Sequence, residues 1–543
     1  MKWLNKHPLW VVTLVCLGIF FVHLDAIFVN IMEARNFITA REMIQDGNWI
    51  FTTINGEPRY QKPPLPTWLT AFSAMVFGLK SLFGLRLPAA IMGLLTVLFS
   101  YKMAHTFTFD KRYSLLSGLI LATSFYIIFA GRNGQWDIFT HAFMMGCIFF
   151  LFRFFSSESQ KLQNALIAAV FFGASFMSKG PVSLYALLLP FLIAYGIVYR
   201  YQNFKKRLLP LFLFLGVAVV LSGWWFWYTY TFDTQSVAEI TQKETSNWTD
   251  YNTRPFYYYW SFFTQSGVWT LPAFMGLLYP YLKNRVFDKK GYRFTFWWTM
   301  LSVVLLSLIP EKKSRYLLPV LIPLALNTAF YLEYLFRSFK TLTAKKETFP
   351  VYLHFGLIAI IGVAFPVGGY LFLKEQLSGQ WVWYGLLSVA LFGIGLYLFR
   401  SLYRKDIPKA FYANIAFIVA IILFGMPLAK ALTVNPEYKS LKQLNDWQAK
   451  TELPVYELGG FTPELIWAYG KPIREISEGN EINYPKETRF GLLVSEDQQG
   501  KLKNRFKGYS VEKIIRYDMN PKAPGERSHR PRLWRDLYLL TKQ

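Results

Sequence analysis

The chain has 543 residues, 53% of them hydrophobic and 19% aromatic, yet only 17% charged, where a soluble protein of this size carries about a quarter. That balance excludes an ordinary soluble enzyme and makes lipid the solvent for much of the chain. The formal net charge of +25 reads as a topology signal, because Lys and Arg gather in alternate loops, and it gives no reason to invoke a nucleic-acid partner.

Windows of about nineteen residues pick out apolar runs long enough to cross ~30 Å of hydrocarbon. They recur as far as Lys430 and predict an all-α polytopic membrane protein with about thirteen transmembrane helices. The spans fall near 8–28, 87–105, 113–130, 138–155, 161–178, 180–199, 208–228, 262–282, 293–309, 316–336, 350–373, 380–399 and 410–430. The first run lacks a small-residue cleavage pattern and reads as an anchor. The run 65–83 opens on Pro63, Pro64 and Pro66 and is interrupted by Lys80, so it is expected to lie on the membrane surface. Loops 101–112, 153–161, 200–207, 283–293, 337–346 and 400–409, with Lys2 and Lys6, are then strongly basic, while the opposite loops are closer to charge balance. Basic loops mark the cytoplasmic side, which puts the N-terminus in the cytoplasm and the other loops outside. Cys16 and Cys147 fall within spans and read as small core residues, with no disulfide framework or metal cluster.

From 431 to 543 the chain turns polar. Strand-like runs at 454–458, 490–494, 511–517 and 537–540 alternate with helical stretches at 439–451 and 463–469, the pattern of a small C-terminal α/β soluble domain. Two domains follow: 1–430 in the membrane, including the external loop 29–86, and 431–543 outside it.

Ionisable residues near a bilayer are costly and mark functional cavities. The largest concentration is the loop 29–86, too long for a simple connection. Its first part, from Glu33 to Met43, has helical periodicity, with Glu33 and Asn36/Phe37 on one face. Next, Asn55-Gly56 signals a turn, and Lys62-Pro63-Pro64 forces an extended segment that holds Arg59 and Lys62 where a lipid phosphate would lie. Three further clusters share the external side: Gly131 to Asp137, Ser178-Lys179-Gly180-Pro181, and Pro310-Glu311-Lys312-Lys313-Ser314-Arg315-Tyr316. The last is basic in an external loop, against the positive-inside tendency, as an anion site would be. Cations suit a phosphate leaving group on a lipid carrier, and a carboxylate suits deprotonation of an acceptor hydroxyl. No Walker loop or dinucleotide-type glycine pattern is present. A transporter or flippase of lipid-linked saccharides would also need cations, but would carry them along spans near the midplane in related halves. A ligase using lipid-diphosphate glycans needs similar cations.

The elements Glu33-Ala34-Arg35, Ala40-Arg41-Glu42-Met43, Gly47-Asn48-Trp49, Asn55-Gly56, Arg59-Tyr60 and Lys62-Pro63-Pro64-Leu65-Pro66-Thr67-Trp68, with Arg315-Tyr316-Leu317-Leu318-Pro319 and Pro323, resemble the lipid A 4-amino-4-deoxy-L-arabinose transferases. These are akin to the protein O-mannosyltransferases and other integral-membrane glycosyltransferases of the GT-C class. The resemblance implies sugar transfer from a polyprenyl-phosphate donor, by direct displacement, at the outer face of a bacterial inner (plasma) membrane. The acceptor would be lipid A, another envelope glycan or a protein. Relatives carry an Asp-Glu pair where this chain has Met32-Glu33, so the catalytic carboxylate is expected to be Glu33 or Asp137. Arg59, Tyr60, Lys62, Lys179 and Arg315 match positions expected to bind the donor phosphate, with Arg35, Arg132, Lys312 and Tyr316 in support. Gln61 stands where relatives carry a Glu that can help bind a divalent metal, which counts against a metal site.

Overall fold

The computed structural model describes residues 6–250, 252–478 and 481–543; Lys2, used above to assign sidedness, lies outside the described residues. Among the described residues, seven helices are long and apolar enough to cross a membrane, from Leu82–Thr108 and Asp137–Ser156 to Trp381–Tyr403 and Ile407–Ala429. An eighth is counted if Lys111–Ala122 and Phe125–Gly131, bent by 67° at a short break, form one span. The chain is a multi-pass membrane protein.

Of the remaining expected spans, those near 161–178 and 293–309 are unbroken helices over Lys161–Lys179 and Lys289–Leu308, and the other three are short or broken, for identifiable reasons. The first runs as a helix only over Pro8–Phe20. The run 262–282 divides into 3-10 turns over Phe262–Trp269, a helix Thr270–Leu277 and a single turn Tyr279–Leu282. Gly267 has φ +67° there, a conformation that ends a helix and that glycine tolerates, and Pro272 and Pro280 each remove a backbone donor. The run 180–199 begins with a π turn at Leu184–Leu188 before the helix Leu189–Val198. Conversely, Lys345–Leu373 stays helical through Pro350 and Pro366.

Without a hydrophobic force between helices in lipid, close approach depends on small residues and shape. Asp137–Ser156 packs along Lys161–Lys179, where a Cβ on Gly146 would lie 2.7 Å from the ring of Phe171. Gly362 and Gly395 bring Lys345–Leu373 and Trp381–Tyr403 together in the same way, and a Cβ on Gly362 would reach within 2.6 Å of the Leu391 carbonyl oxygen. Cys16 and Cys147 are buried free thiols in this packing.

The loop 29–86 folds as a helix Ile31–Gln45, a two-stranded hairpin Thr53–Ile54 and Glu57–Pro58, and a helix Leu65–Phe77. The last exposes Phe72, Met75, Val76 and Phe77 and buries Thr67, Thr70, Ala71 and Ala74, which is the two-sidedness of a helix at a membrane surface.

The C-terminal region carries a five-stranded mixed sheet in the order Arg474–Glu475, Val455–Leu458, Arg489–Val494, Trp534–Lys542, Tyr509–Asp518. Val455–Leu458 is parallel to both its neighbours and the other pairs are antiparallel; a bulge between Lys513 and Ile515 shifts the outer register. Leu492, Val494 and Leu540 pack on one face with Phe506. On the other, Leu493 and Leu537 meet Leu465 and Ile466 of the helix Pro463–Tyr469, together with Ile38 of the Ile31–Gln45 helix. That shared cluster, with Phe37 against Trp467 at 5.3 Å, seats the sheet on the first loop.

Candidate active site

The Ile31–Gln45 helix starts with a capping box: Asn30 Oδ1 accepts from the Met32 and Glu33 amides, while Glu33 returns a bond to the Asn30 amide. Glu33 is fully buried. Its Oε1 accepts from Arg86 Nε at 2.7 Å and the Gly134 amide at 2.9 Å, and its Oε2 from Arg86 Nη2 at 3.0 Å and Asn30 Nδ2 at 2.9 Å. Both oxygens are therefore engaged. One turn along, Asn36 Nδ2 donates to the Gly134 carbonyl at 2.8 Å and its Oδ1 accepts from Thr67 at 2.7 Å. The helix thus grips both backbone groups of Gly134, which sits so close that a Cβ there would lie 2.4 Å from the Phe37 ring. The grip fixes the segment leading into Asp137.

Farther along the helix, Glu42 accepts from Thr53 Oγ1 at 2.6 Å and from the Asn55 amide at 2.7 Å, which sets the hairpin that delivers Arg59, Tyr60 and Lys62. Arg59 is buried, donates to Thr39 at 3.1 Å and lies 4.5 Å from the Trp136 ring centroid. Burial, with the Arg35 charge, works against its ionised form. Tyr60 donates to Asp233 at 2.7 Å; this bond holds the Asp233 carboxyl below its ordinary range, and burial pushes the phenol up. Lys62 lies 3.8 Å from Glu244. Its ammonium is brought down to about 8, chiefly by burial and then by Lys179 and Arg59, with Glu244 and Asp137 opposing.

Asp137 opens the helix Asp137–Ser156 and Lys179 closes the helix Lys161–Lys179. The two form an ion pair with side chains 3% and 6% exposed. The contact uses Asp137 Oδ1, and Oδ2 is buried without a hydrogen-bond partner among the described residues. Lys179 Nζ lies 5.3 Å from the Tyr316 ring centroid, and the Arg315 guanidinium lies 5.7 Å from the same ring. Arg315 Nε is buried with no partner among the described residues. Arg315 and Lys179 both act electrostatically on Asp137, and Lys179 and Asp137 both act on Lys62. One neighbourhood therefore holds the cations Arg59, Lys62, Lys179 and Arg315 against the carboxylates Asp137 and Glu244. Cations gathered in this way suit a phosphate.

Three sequence-expected supporting residues stand apart. Arg132 donates to the carbonyls of Ile19 and His23 and pins the first span. Lys312 donates to the carbonyls of Arg254 and Ile309, at 3.0 and 2.6 Å, and braces its own loop. Arg35 faces a cavity beneath the C-terminal sheet. Arg86, Trp136, Asp233 and Glu244 were not singled out in the sequence. Glu244 and Asp233 belong to a polar stretch containing the helix Thr234–Asp250, and its length as an external connection was the available signal. No three His, Cys, Asp or Glu side chains come together as metal ligands among the described residues, and Gln61 supplies no carboxylate, so the residues present do not fit a metal.

Residues 61–227 match a family model described as dolichyl-phosphate-mannose-protein mannosyltransferase, a stretch that contains Lys62, Asp137 and Lys179. An uncharacterized protein of Aquifex aeolicus is 28% identical over 301 residues, 54% of this chain and 58% of that one. An undecaprenyl phosphate-alpha-4-amino-4-deoxy-L-arabinose arabinosyl transferase of Pseudomonas savastanoi pv. phaseolicola is 27% identical over 325 residues, 55% of this chain and 56% of its own. The chain thus spans little more than half the length of these relatives. A transferase of the same description from Proteus mirabilis is 24% identical over 498 residues, 89% of this chain and 85% of that one. The crystal structure of ArnT from Cupriavidus metallidurans bound to undecaprenyl phosphate superposes with a TM-score of 0.69 at 17% identity, covering 98% of this chain and 97% of that one. The chain has the same fold as that protein and resembles the GT-C transferases in sequence.

Proposed function

We propose that this protein is a glycosyltransferase that moves a sugar from a polyprenyl-phosphate donor to an acceptor hydroxyl at the outer face of the inner membrane. The observation that carries the reading is an open carboxylate oxygen, Asp137 Oδ2, on a side chain paired with Lys179 and in the field of Arg315 and Lys62, cations from segments far apart in sequence. The acceptor oxygen attacks the anomeric carbon, the carbon–oxygen bond to phosphate breaks, and polyprenyl phosphate leaves as the anion. Arg59, Lys62 and Arg315 hold that phosphate and stabilise the charge it gains. Asp137 takes the acceptor proton, with Lys179 orienting its other oxygen. Glu33, whose oxygens are engaged, acts at one remove by fixing Gly134, and Tyr60 braces the donor segment through Asp233.

The topology belongs to the same proposal. Counting the short and broken helices, and the unbroken helices Lys161–Lys179 and Lys289–Leu308, as crossings gives thirteen, with the N-terminus in the cytoplasm and the C-terminal region a soluble α/β domain of the periplasm. The Lys179–Asp137 pair, the Lys62–Glu244 pair and the backbone bridge of Thr253 to Glu311 support it, because each joins loops that such a path puts on one side. The acceptor class is lipid A, another envelope glycan or a protein.

Purified protein with a polyprenyl-phosphate sugar and acceptor is expected to release polyprenyl phosphate, and Asp137→Asn to abolish the release. Full release by Asp137→Asn overturns the mechanism. Movement of intact lipid-linked sugar across a vesicle without release overturns the transferase reading in favour of a flippase.

A further inference from the structure

A second cavity, of about 500 Å³, lies outside the donor cluster, between the Ile31–Gln45 helix and the C-terminal sheet. Its floor is the end of the parallel pair Val455–Leu458 and Arg489–Val494, where the chain leaves each strand through Gly459-Gly460-Phe461-Thr462 and Ser495-Glu496-Asp497. In open α/β sheets, crevices beyond the carboxyl ends of parallel strands are where small ligands settle. Gly459, at φ +140°, lets the two loops close: a Cβ there would lie 2.0 Å from Ser495 Oγ.

The frame is rigid. Arg535 is buried, with Nε on Glu457 at 2.5 Å and Nη2 on the Gly460 carbonyl at 3.1 Å and Thr462 Oγ1 at 3.0 Å. Arg532 holds Glu464 in a bidentate pair at 2.6 and 2.7 Å. Within that frame the accessible groups alternate in kind. Phe461 is 36% exposed and offers an aromatic face, and Glu496 and Asp497 are exposed carboxylates. Arg35, from the membrane side, is the only residue between Glu33 and Met43 that is not buried. The exposed Glu496 carboxylate, the Arg35 guanidinium and an apolar ring around one cavity, with Asp497 held by Ser495 and Gln498, match the chemistry of a saccharide, whose hydroxyls need paired donors and acceptors and whose C–H face stacks on a ring. The cavity is also coupled to the donor cluster, since the Arg35 charge acts on Arg59, and Glu33 and Asn36 of the same helix hold the Asp137 loop.

We propose that this cavity, lined by Arg35, Phe461, Ser495, Glu496 and Asp497, is the subsite for the acceptor's sugar head group. It rests on the transferase reading above for what the bound saccharide is used for, and on the cavity alone for the binding. The Ile31–Gln45 helix then couples two sites, with the acceptor on its Arg35 face and the catalytic loop on its Glu33–Asn36 face.

The test is binding of a water-soluble amino-sugar disaccharide phosphate, without acyl chains, to the full-length protein in detergent, followed by calorimetry. Wild type is expected to bind it, Phe461→Ala and Glu496→Gln each to weaken binding about tenfold, and Phe461→Trp to keep it. Wild-type affinity in both weakening variants overturns the subsite, as does binding of a Ser/Thr peptide in place of the saccharide. Since Phe461 and Glu496 sit at the surface of their loops, an unchanged thermal midpoint checks that both variants are folded. If the variants lose the saccharide as expected while wild type releases no polyprenyl phosphate from any donor, the cavity stands and the transferase reading falls; release without these dependences has the opposite meaning.

Discussion

Two buried carboxylate–cation pairs lie at the ends of the same short segment. Glu33 with Arg86 holds one end, and Asp137 with Lys179 forms the other. In the first every oxygen is engaged, by Arg86, Asn30 and the Gly134 amide. In the second, one oxygen meets Lys179 and the other has no partner among the described residues. Burial of a charge is expensive in both, but only the second leaves a lone pair to spend on a proton. In the mechanism proposed above, the saturated carboxylate is the structural one and the carboxylate with an open oxygen is the chemical one.

The contrast can be broken most directly by Asp137→Asn, expected to lower kcat/KM for sugar transfer by about 100- to 10,000-fold in the fraction that stays folded, since it also leaves Lys179 buried without its partner. Arg86→Ala is expected to do the reverse. It strands Glu33 in a buried site and costs about 3–5 kcal/mol of stability, read as a fall in that midpoint, with near-normal turnover in the fraction that stays folded. Gly134→Ala should sharpen the distinction, since a methyl group driven against Phe37 costs about 1–3 kcal/mol and displaces the Asp137 loop. It is expected to lower kcat more than it raises the donor KM, measured by steady-state kinetics.

The smallest effect expected is one of pH. In the proposed donor site Lys62 holds phosphate as a cation, and its ammonium is brought down to about 8, chiefly by burial. It is therefore cationic below that value, and the donor's kcat/KM should decline as pH rises through about 8. Lys62→Arg, which keeps its charge, should move the decline upward; a profile that stays flat in wild type to pH 9 would remove Lys62 from the donor site.

Much of this was legible in the sequence because it is local. Apolar runs long enough for lipid announce helices, Lys62-Pro63-Pro64 announces an extended entry, and Asn55-Gly56 announces the turn of the hairpin Thr53–Ile54 and Glu57–Pro58. The helix Pro463–Tyr469 falls where its periodicity put it. What could not be read were partners. Glu33 and Arg86 lie far apart in sequence, Tyr60 and Asp233 farther still, and no periodicity links them. Arg132 sits beside Asp137 in the chain, yet its guanidinium turns back to the carbonyls of Ile19 and His23, because those end-of-helix acceptors need donors in a medium without water. Helix breaks were under-read for a related reason: Pro350 is tolerated inside a long helix, whereas Gly267 ends one, and hydropathy averages treat both as part of an apolar window.

The side chain of Asn55 repays a last look. Its Oδ1 accepts from the Ile473 amide at 2.9 Å and its Nδ2 donates to the Ile473 carbonyl at 2.8 Å, so one amide imitates the edge of a neighbouring strand. A hinge at this seam would have to surrender both bonds together, along with the apolar contacts of Ile38 and Phe37 behind them. The sheet is thus clamped to the first loop at this seam.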